Sequence, residues 1–357
     1  MVRQHSHKTV VNWNGFSIEG GEFTRFVQPG RNSIALNRVV TNQPSRINGR
    51  LRANGNVWLI NQNVVTVGPG GEVRAHGFLA TTADIADDNF MGGHYHLDLP
   101  RPNHNARVVN QGRISLGERG LGALVAPHAR NDGVIHGRAS NVVIAGAETF
   151  AVDFYGDGLI HFATGAPVSR RPEDVDALVE NNGAILVEGG QVLLTTDAAE
   201  GIIDQVVKVG GKVHARSAYS DGGTIVPDGG RSGTVAVTGT LDASSARRGG
   251  KIEVRGRRVE VGPRALVAAC GKRGGGSIRI GGNPHGKGPS RNADTVVLAP
   301  EARILADATI AGDGGGIVVY SKRTAVIDGT LTARGGPRGG DGGFIETSAA
   351  GSYRGRG

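Results

Sequence analysis

The chain repeats the phrase Gly249-Gly250-Lys251-Ile252-Glu253-Val254, in which a glycine pair precedes a short strand. Successive side chains of a strand point to opposite faces, so Ile252 and Val254 share one face and the charged residues share the other. Four further glycine pairs in the C-terminal half each precede a short apolar strand: Gly222-Gly223, Gly275-Gly276, Gly315-Gly316 and Gly342-Gly343. A strand that returns behind the same turn indicates a repeat architecture.

The spacing of these strands leaves little room for a helix in each repeat. The first residues of successive strands, counted from Thr224, lie 27, 26, 40 and 27 residues apart. A βαβ unit needs about 30 residues or more, and helical periodicity is limited to one or two turns at residues 173–180. We therefore predict an all-β fold, a right-handed parallel β-helix (solenoid) of roughly 14 to 16 coils and about 70 Å in length. An antiparallel β-sandwich would need two-residue hairpins, which the regular glycine period disfavours.

A second phrase, an Asx-Gly turn that opens a strand, recurs in the middle of the chain. It reads Val109-Asn110-Gln111-Gly112, then Arg130-Asn131-Asp132-Gly133, and then Glu180-Asn181-Asn182-Gly183. Because Asn and Gly tolerate positive φ, we expect these residues to turn the backbone tightly at the corners of the coils. The inward Val, Ile, Leu and Ala residues would then form one continuous core whose stability depends on stacking many coils.

The composition agrees with a β-solenoid and argues against several other classes of protein. Glycine accounts for 60 of the 357 residues, whereas aromatic residues account for 4%. The single cysteine, Cys270, cannot form an intrachain disulfide, and we expect it to fill the core as a small apolar residue. No stretch approaches about 18 apolar residues, so no membrane-spanning helix is predicted. The net charge of +8 is spread along the chain without an arginine-rich arm, which argues against a nucleic-acid partner but leaves open an attraction to anionic polysaccharide or lipid headgroups.

The first half of the chain carries an ordered series of phrases. The series begins with Val11-Asn12-Trp13-Asn14-Gly15-Phe16-Ser17-Ile18 and continues with Phe26-Val27-Gln28-Pro29 and Ser33-Ile34-Ala35-Leu36-Asn37-Arg38-Val39. It ends with Leu51-Arg52-Ala53-Asn54-Gly55-Asn56-Val57-Trp58-Leu59-Ile60-Asn61 and Gly77-Phe78-Leu79-Ala80-Thr81-Thr82-Ala83-Asp84-Ile85. Over about residues 10–165, this series closely resembles the N-terminal secretion domain of filamentous haemagglutinin-like exoproteins of two-partner secretion systems. The family motif falls on ten positions of this sequence: Asn12, Trp13, Gln28, Pro29, Asn37, Arg38, Asn54, Gly55, Asn61 and Asn63.

The resemblance implies both a division of the chain and a function. Residues 10–165 would be the two-partner-secretion domain, and residues 166–357 would continue as glycine-rich β-helix repeats. The chain would be a non-enzymatic segment of a secreted or cell-surface adhesin or haemagglutinin, and it would need no cofactor. Its expected partners are an outer-membrane β-barrel transporter of the two-partner type, and glycans or receptors on host or bacterial surfaces.

Three features depart from the family pattern. The family's Asn-Pro-Asn-Gly turn is replaced by Asn61-Gln62-Asn63-Val64, and we expect a looser turn because the residues that preset φ are lost. The N-terminus lacks an apolar signal-peptide core, and the first strands of the family are missing before Val10. We therefore expect a truncated N-terminal cap and a chain that does not enter the general export pathway alone. The chain stops at Gly357, where the family's repeats continue, so a gene fragment without function is a further alternative.

An enzyme that acts on acidic polysaccharide is the main alternative, because parallel β-helices also host lyases and hydrolases. Arg255, Arg257 and Arg258 would then recognise the substrate. Such an enzyme needs several carboxylates on one lateral face for calcium binding or for acid-base chemistry. A face of isolated charges would instead favour the adhesin.

Local motifs do not supply that carboxylate cluster. Asp87-Asp88 lies in an Asp-rich stretch, residues 84–89, that we interpret as a solvated loop. The glycine-rich run at residues 271–276 leads into a strand and not into a helix, so we interpret it as a coil corner without phosphate-binding capacity. The remaining candidates lack a further ligand or a tandem repeat: a calcium turn at Asp153 and Asp157, an imidazole pair at His94 and His96, and a glycine-rich run at residues 339–343.

Overall fold

The computed structural model describes residues 1–99, 103–153, 161–199, 201–203 and 205–355. The chain forms two compact units, unit 1 (Met1–Ala184) and unit 2 (Ile185–Gly357). In both units, parallel strands stack into three ladders, one ladder for each side of the coil. Within the described ranges, no helix is long and apolar enough to cross a membrane.

Unit 1 contains most of the secretion-type phrases. Its helix, α1 (Asp87–Gly92), follows the tenth strand. Its strands are β1 (Val2–Arg3), β2 (Lys8–Trp13), β3 (Phe23–Val27), β4 (Ile34–Val39), β5 (Ser45–Ile47), β6 (Arg50–Ala53), β7 (Asn56–Ile60), β8 (Val64–Val67), β9 (Glu72–Ala75), β10 (Gly77–Thr81), β11 (His96–Leu97), β12 (Arg107–Asn110), β13 (Arg113–Leu116), β14 (Leu121–Ala126), β15 (His128–Asn131), β16 (Val134–Arg138), β17 (Asn141–Gly146), β18 (Phe150–Asp153), β19 (His161–Thr164) and β20 (Val179–Asn181).

The three ladders of unit 1 contain parallel pairs only. Ladder A is β1-β3-β6-β9-β13-β16. Ladder B is β2-β4-β7-β10-β14-β17. Ladder C is β5-β8-β12-β15-β20. The predicted parallel β-helix is therefore confirmed in unit 1.

Unit 2 repeats this arrangement with shorter strands. Its strands are β21 (Ala184–Glu188), β22 (Gln191–Thr196), β23 (Gln205–Val209), β24 (Lys212–His214), β25 (Thr224–Asp228), β26 (Thr234–Val237), β27 (Thr240–Asp242), β28 (Lys251–Val254), β29 (Arg258–Val261), β30 (Leu266–Ala268), β31 (Ser277–Ile280), β32 (Ala293–Leu298), β33 (Arg303–Leu305), β34 (Gly316–Ile327), β35 (Thr330–Thr332), β36 (Phe344–Ala349) and β37 (Ser352–Gly355). One ladder is β21-β24-β27-β30-β33-β35, and β34 is long enough to stack on β31 with its first half and on β32 with its second half.

The core of each coil consists of aliphatic side chains that stack in register. In ladder A, Leu51, Val73, Ile114 and Ile135 lie on top of one another, and each is at most 1% exposed. Complete burial of such a side chain stabilises the fold by about 1.5–3 kcal/mol. Since every level adds only a few of them, the stability of each unit depends on the number of stacked levels.

The predicted number of coils is wrong. The ladder β1-β3-β6-β9-β13-β16 of unit 1 and the ladder β21-β24-β27-β30-β33-β35 of unit 2 contain six described strands each, twelve in all against the roughly 14 to 16 predicted, and the chain twice leaves the coil within unit 1. The first excursion, residues 82–106, contains α1 and β11, and the second, residues 147–178, contains β18 and β19. Together, β11, β18 and β19 form a small antiparallel sheet.

The sequence also misplaced the helix. Residues 173–180 contain no helix and end in β20, whereas the stretch interpreted as a solvated loop contains the start of α1. Asp87 and Asp88 occupy the first turn of α1, where negative charge interacts favourably with the helix dipole. Residues before Val10 form β1 and the start of β2, so strands that we expected to be missing are present.

The glycine pairs lie where stacked backbones come closest. A Cβ atom on Gly250, Gly276 or Gly343 would lie within 2.2 Å of the carbonyl oxygen of the glycine one level away. None of these glycines has a positive φ, and neither has any residue of the Asx-Gly phrases at 110–112, 131–133 and 181–183, so the positive φ that we expected in those phrases is wrong. The pair predicted at Gly315-Gly316 is shifted by one residue, because Gly316 pairs with Ser277 and the stacked pair is Gly314-Gly315.

Candidate functional site

The ten motif positions lie on the first levels of unit 1, but they do not form a single pocket. They form three groups, which we name the Gln28 corner, the Arg38 clamp and the Asn61 turn. The Gln28 corner contains Gln28, Pro29, Asn54 and Gly55. The Arg38 clamp contains Asn12, Trp13, Asn37 and Arg38. The Asn61 turn contains Asn61 and Asn63.

The Gln28 corner connects three successive levels through one buried amide. The side-chain nitrogen of Gln28 donates to Oε1 of Gln4 at 2.9 Å, and its oxygen accepts from the backbone N–H of Gly55 at 2.9 Å. Asn54 exchanges two hydrogen bonds of 2.8 Å with the backbone of Gln28. Gln28 is only 5% exposed, whereas the adjacent Pro29 lies in solvent. A buried amide with full hydrogen bonding fixes the register of these levels.

Two side chains of the Arg38 clamp lie on neighbouring strands of ladder B. The indole N–H of Trp13 donates to Oδ1 of Asn37 at 3.0 Å, and the amide of the fully buried Asn37 donates to the carbonyl of Ala35 at 3.1 Å. Trp13 also packs edge-on against Phe16, with ring centroids 5.7 Å apart. These contacts fix β2 on β4 at the first full level.

Arg38 holds the first excursion against ladder B. Its guanidinium donates to Asp84 at 2.8 Å and to the carbonyl of Ile85 at 2.7 Å, and it forms an ion pair of 2.8 Å with Asp87. It also donates to Asn12 at 3.3 Å. Burial alone would lower the pKa of Arg38, but Asp84 and Asp87 outweigh burial and raise it. The guanidinium is therefore a fixed positive charge. Its partners lie on the first excursion, and the sequence did not predict that this segment packs beside Arg38.

An aromatic cluster completes this contact. The ring of Trp58 lies 5.6 Å from that of Phe90 in α1 and 5.0 Å from that of Tyr95. The ammonium of Lys8 lies 5.2 Å from the Tyr95 ring centroid and donates to the carbonyl of Met91 at 3.0 Å. The cluster covers β7 at Trp58, and β7, β10 and β14 are buried on both faces, except at Asn56. The continuous apolar run at residues 57–60 was the sequence signal of this second covered face.

The Asn61 turn closes without proline or glycine. Asn61 is fully buried, and its amide donates to the carbonyl of Gln43 at 2.8 Å and to Oγ of Ser45 at 2.9 Å. Its oxygen accepts from the backbone N–H of Asn63 at 3.0 Å, which is an Asx turn. The side chain of Asn61 therefore constrains the turn, which we expected to be looser without proline and glycine.

The predicted Asx-Gly phrases stack into a buried asparagine ladder, which comprises Asn110, Asn131 and Asn181. Each amide donates to the next at 2.7 Å, and none of the three side chains is exposed. Beside it, the imidazole of His128 lies 3.3 Å from the carboxylate of Glu180. Burial alone would raise the pKa of Glu180, but hydrogen bonding to His128 and the charge of Arg130 outweigh burial and lower it.

The arginines of the enzyme alternative bind carboxylates or backbone of unit 2. Arg255 contacts Glu253, and it also lies 3.6 Å from Asp228. Arg257 donates to the carbonyl of Ser232, and Arg258 donates to Glu260. Burial alone would raise the pKa of Glu253, but Lys251 and Arg255 outweigh burial and lower it. Burial outweighs the nearby cations at Asp228 and raises its pKa. The contacts of Arg255 with Glu253 and of Arg258 with Glu260 are therefore ion pairs, whereas Arg257 is bound to backbone.

The other candidates from the sequence are dispersed. His94 and His96 are exposed, and Asp157 lies outside the described residues. Cys270 is half-buried and its thiol donates to the carbonyl of Leu305 at 3.6 Å, so it is not the core filler that we expected. Burial raises the pKa of that thiol. Within the described ranges, no three His, Cys, Asp or Glu side chains lie together as a metal site.

Comparison with known proteins gives three findings. A family model described as the TPS secretion domain matches residues 2–243. The heme/hemopexin-binding protein of Haemophilus influenzae (strain Rd) is 34% identical over 113 residues, which are 32% of this chain and 12% of that protein. A second Haemophilus influenzae heme/hemopexin-binding protein is 39% identical over 84 residues, 24% of this chain and 9% of its own length. The matched part is thus about a tenth of those relatives. The crystal structure of the HMW1 secretion domain from Haemophilus influenzae matches with a TM-score of 0.80 and 25% identity, over 98% of this chain and 92% of that one.

Proposed function

Because the chain belongs to the TPS secretion domain family, we propose that it is the part of an exoprotein by which an outer-membrane transporter recognises and exports the whole protein. Exoproteins of this family are secreted to the cell surface or the medium, and TPS domains engage an outer-membrane transporter. The observation that carries the proposal is the family match over residues 2–243, which includes all ten motif positions. Residues 10–165 would form the recognised domain, and residues 166–357 would continue it as repeats.

The buried motif groups suggest how the domain serves export. The Gln28 corner and the Arg38 clamp connect levels that are among the first in the chain, and their hydrogen bonds exist only once these levels are stacked. In an N-terminus-first export, these levels would be the first to emerge, and they would offer each following coil an edge on which to fold. The motif residues would therefore act as the folding start of the exported chain.

We further propose that the chain is not an enzyme and that the exported protein is an adhesin, which binds glycans or receptors on host or bacterial cells. The ion pairs of Glu253 with Lys251 and Arg255 support this proposal, because a general acid or base needs a carboxylate that is free to exchange a proton with substrate.

The test of export uses the full chain behind a cleavable signal peptide in a Gram-negative host. We expect the protein in the culture medium when a two-partner transporter is co-expressed, and in the periplasm when the transporter is omitted. An equal distribution with and without the transporter, for a chain that is stable in the periplasm, would contradict the proposal. Arg46→Gln, at an exposed position outside the three motif groups, serves as a control variant that is expected to be exported normally.

A further inference from the structure

The outer face of ladder A carries a column of arginines. Arg25 of β3 stands in register with Arg52 of β6, which stands in register with Arg74 of β9. All three side chains are exposed. Neighbouring strands lie about 4.8 Å apart, so a positive charge recurs at that interval along the ladder. Like charges directly opposite each other destabilise a sheet, and an array of three therefore has a folding cost that an external partner could offset.

The surroundings of the column strengthen its positive charge. Arg50 and Arg113 occupy the adjacent column, on either side of Glu72. Glu72 is the only carboxylate at the outward positions of β3, β6, β9 and β13, all of which the structure describes. The guanidinium carbons of Arg50 and Arg52 both lie 5.7 Å from the ring centroid of Phe23, so the ring holds them by cation-π contact. Phe23 thus holds one member of the column, Arg52, and this part of ladder A carries a net positive charge.

A groove lies beside the column at the edge of ladder A. It has a volume of about 440 Å³, and its polar lining consists of Asn54, Glu72, Arg74, His76, Ser115 and His136. Burial, and then the charge of Arg31, lower the pKa of His76, so its imidazole is neutral at pH 7. A neutral imidazole both donates and accepts hydrogen bonds, as do hydroxyl and amide groups. The groove therefore offers the groups that bind sugar hydroxyls, next to groups that bind anions.

We propose that the arginine column and the groove together bind a linear anionic polysaccharide that runs along ladder A. Guanidinium groups pair with sulfate or carboxylate through two parallel hydrogen bonds, and successive rungs would meet successive anionic groups of the polymer. This inference rests on the adhesive part of the proposed function and assigns a ligand class and a surface to it. It does not depend on how the chain is exported.

The test measures binding of the purified full chain to three polymers. Dextran sulfate presents sulfates, polygalacturonate presents carboxylates, and neutral dextran is the control. The column variant removes three charges: Arg25→Gln, Arg52→Gln and Arg74→Gln. A matched variant removes three exposed charges elsewhere: Arg46→Gln, Arg170→Gln and Arg231→Gln. We expect the column variant to bind the anionic polymer about tenfold more weakly or worse, and the matched variant to bind as the unmodified chain does. Binding should weaken as salt shortens the screening length.

Three results would overturn the proposal. The first is that the unmodified chain binds neither anionic polymer. The second is that both variants lose the same affinity for the polymer. The third is that the chain binds vesicles of anionic phospholipid through the column but binds neither polymer. Circular dichroism of each variant checks that it is folded. Because export is measured in cells and binding on purified protein, a column variant that is exported normally but no longer binds separates this inference from the proposed function.

Discussion

At the scale of single residues, buried amides determine which levels stack on which. The asparagine ladder places Asn110, Asn131 and Asn181 at equivalent positions, although the last two are 50 residues apart in sequence. A slip of one residue would turn these side chains to the other face and leave buried polar groups without partners. The ladder thus sets the register on either side of the second excursion.

Substitution of the central asparagine tests this role. Asn131→Ala removes two hydrogen bonds and leaves a donor of Asn110 and an acceptor of Asn181 buried and unpaired, so we expect a loss of about 2–4 kcal/mol in the free energy of unfolding. Asn182→Ala is the matched control, because Asn182 is exposed and should cost less than about 1 kcal/mol. Urea denaturation of both variants measures the difference. Equal losses would mean that the ladder does not set the register.

A second residue-scale prediction concerns pH. The depressed pKa of Glu253 adds stability above its unfolded value of 4.5, and this stability is lost as the pH falls below that value. Glu253→Gln should therefore be about 1–3 kcal/mol less stable than the unmodified chain at pH 7, and the gap should narrow towards pH 4. Asp228→Asn should have the opposite effect on the free energy of unfolding at pH 7. The pKa of Asp228 is raised, so the folded state favours its protonated form, which asparagine resembles. Urea titrations at several pH values compare the two. If the stability difference between Glu253→Gln and the unmodified chain widened in acid, this result would contradict the assignment of the Glu253 ion pairs.

The sequence could identify motif residues but not all their partners. Gln28, Asn54 and Gly55 were recognised because they lie in phrases of the series, whereas Gln4 was missed because it precedes the series. Arg38 was recognised without Asp84, 46 residues away on an excursion. Contacts made by an excursion depend on how it folds back, and no periodic pattern encodes that.

At the scale of elements, the glycine pairs are required because backbones of adjacent levels touch there. Gly250→Ala would place a methyl group 2.1 Å from the carbonyl oxygen of Gly223, so the two levels would have to separate. We expect a loss of about 1–3 kcal/mol or more. Gly342→Ala, which meets nothing within 4 Å, is the matched control. Thermal unfolding distinguishes the two, and equal melting temperatures would contradict the close-approach role.

The period of the coil was predictable, and the two excursions were not. Register pairs such as Thr224 with Lys251 and Lys251 with Ser277 agree with the predicted spacings, because each glycine pair marks the same point of its coil. The excursions interrupt the period, but their amino-acid composition does not distinguish them from the coils. The helix in the first one has only six residues, which is too short for an amphipathic pattern.

At the scale of the whole molecule, parallel stacking is the feature from which the rest follows. It gives each unit its core, it brings the motif residues of successive levels together, and it aligns Arg25, Arg52 and Arg74. The net charge of +8 could be read from composition, but the alignment of three arginines on one ladder could not, because that depends on which residues share a register.

The most direct test of parallel, in-register stacking is disulfide formation between introduced cysteines in a chain that carries Cys270→Ser. Arg52→Cys with Arg74→Cys joins register partners, whose Cα atoms should lie about 4.8 Å apart, within disulfide range. Arg25→Cys with Arg74→Cys joins positions two levels apart, at about twice that distance. We expect rapid intramolecular oxidation of the first pair and none of the second, as measured by thiol titration and gel mobility. Failure of the first pair to oxidise in folded protein, or equal oxidation of both, would contradict the stacked architecture.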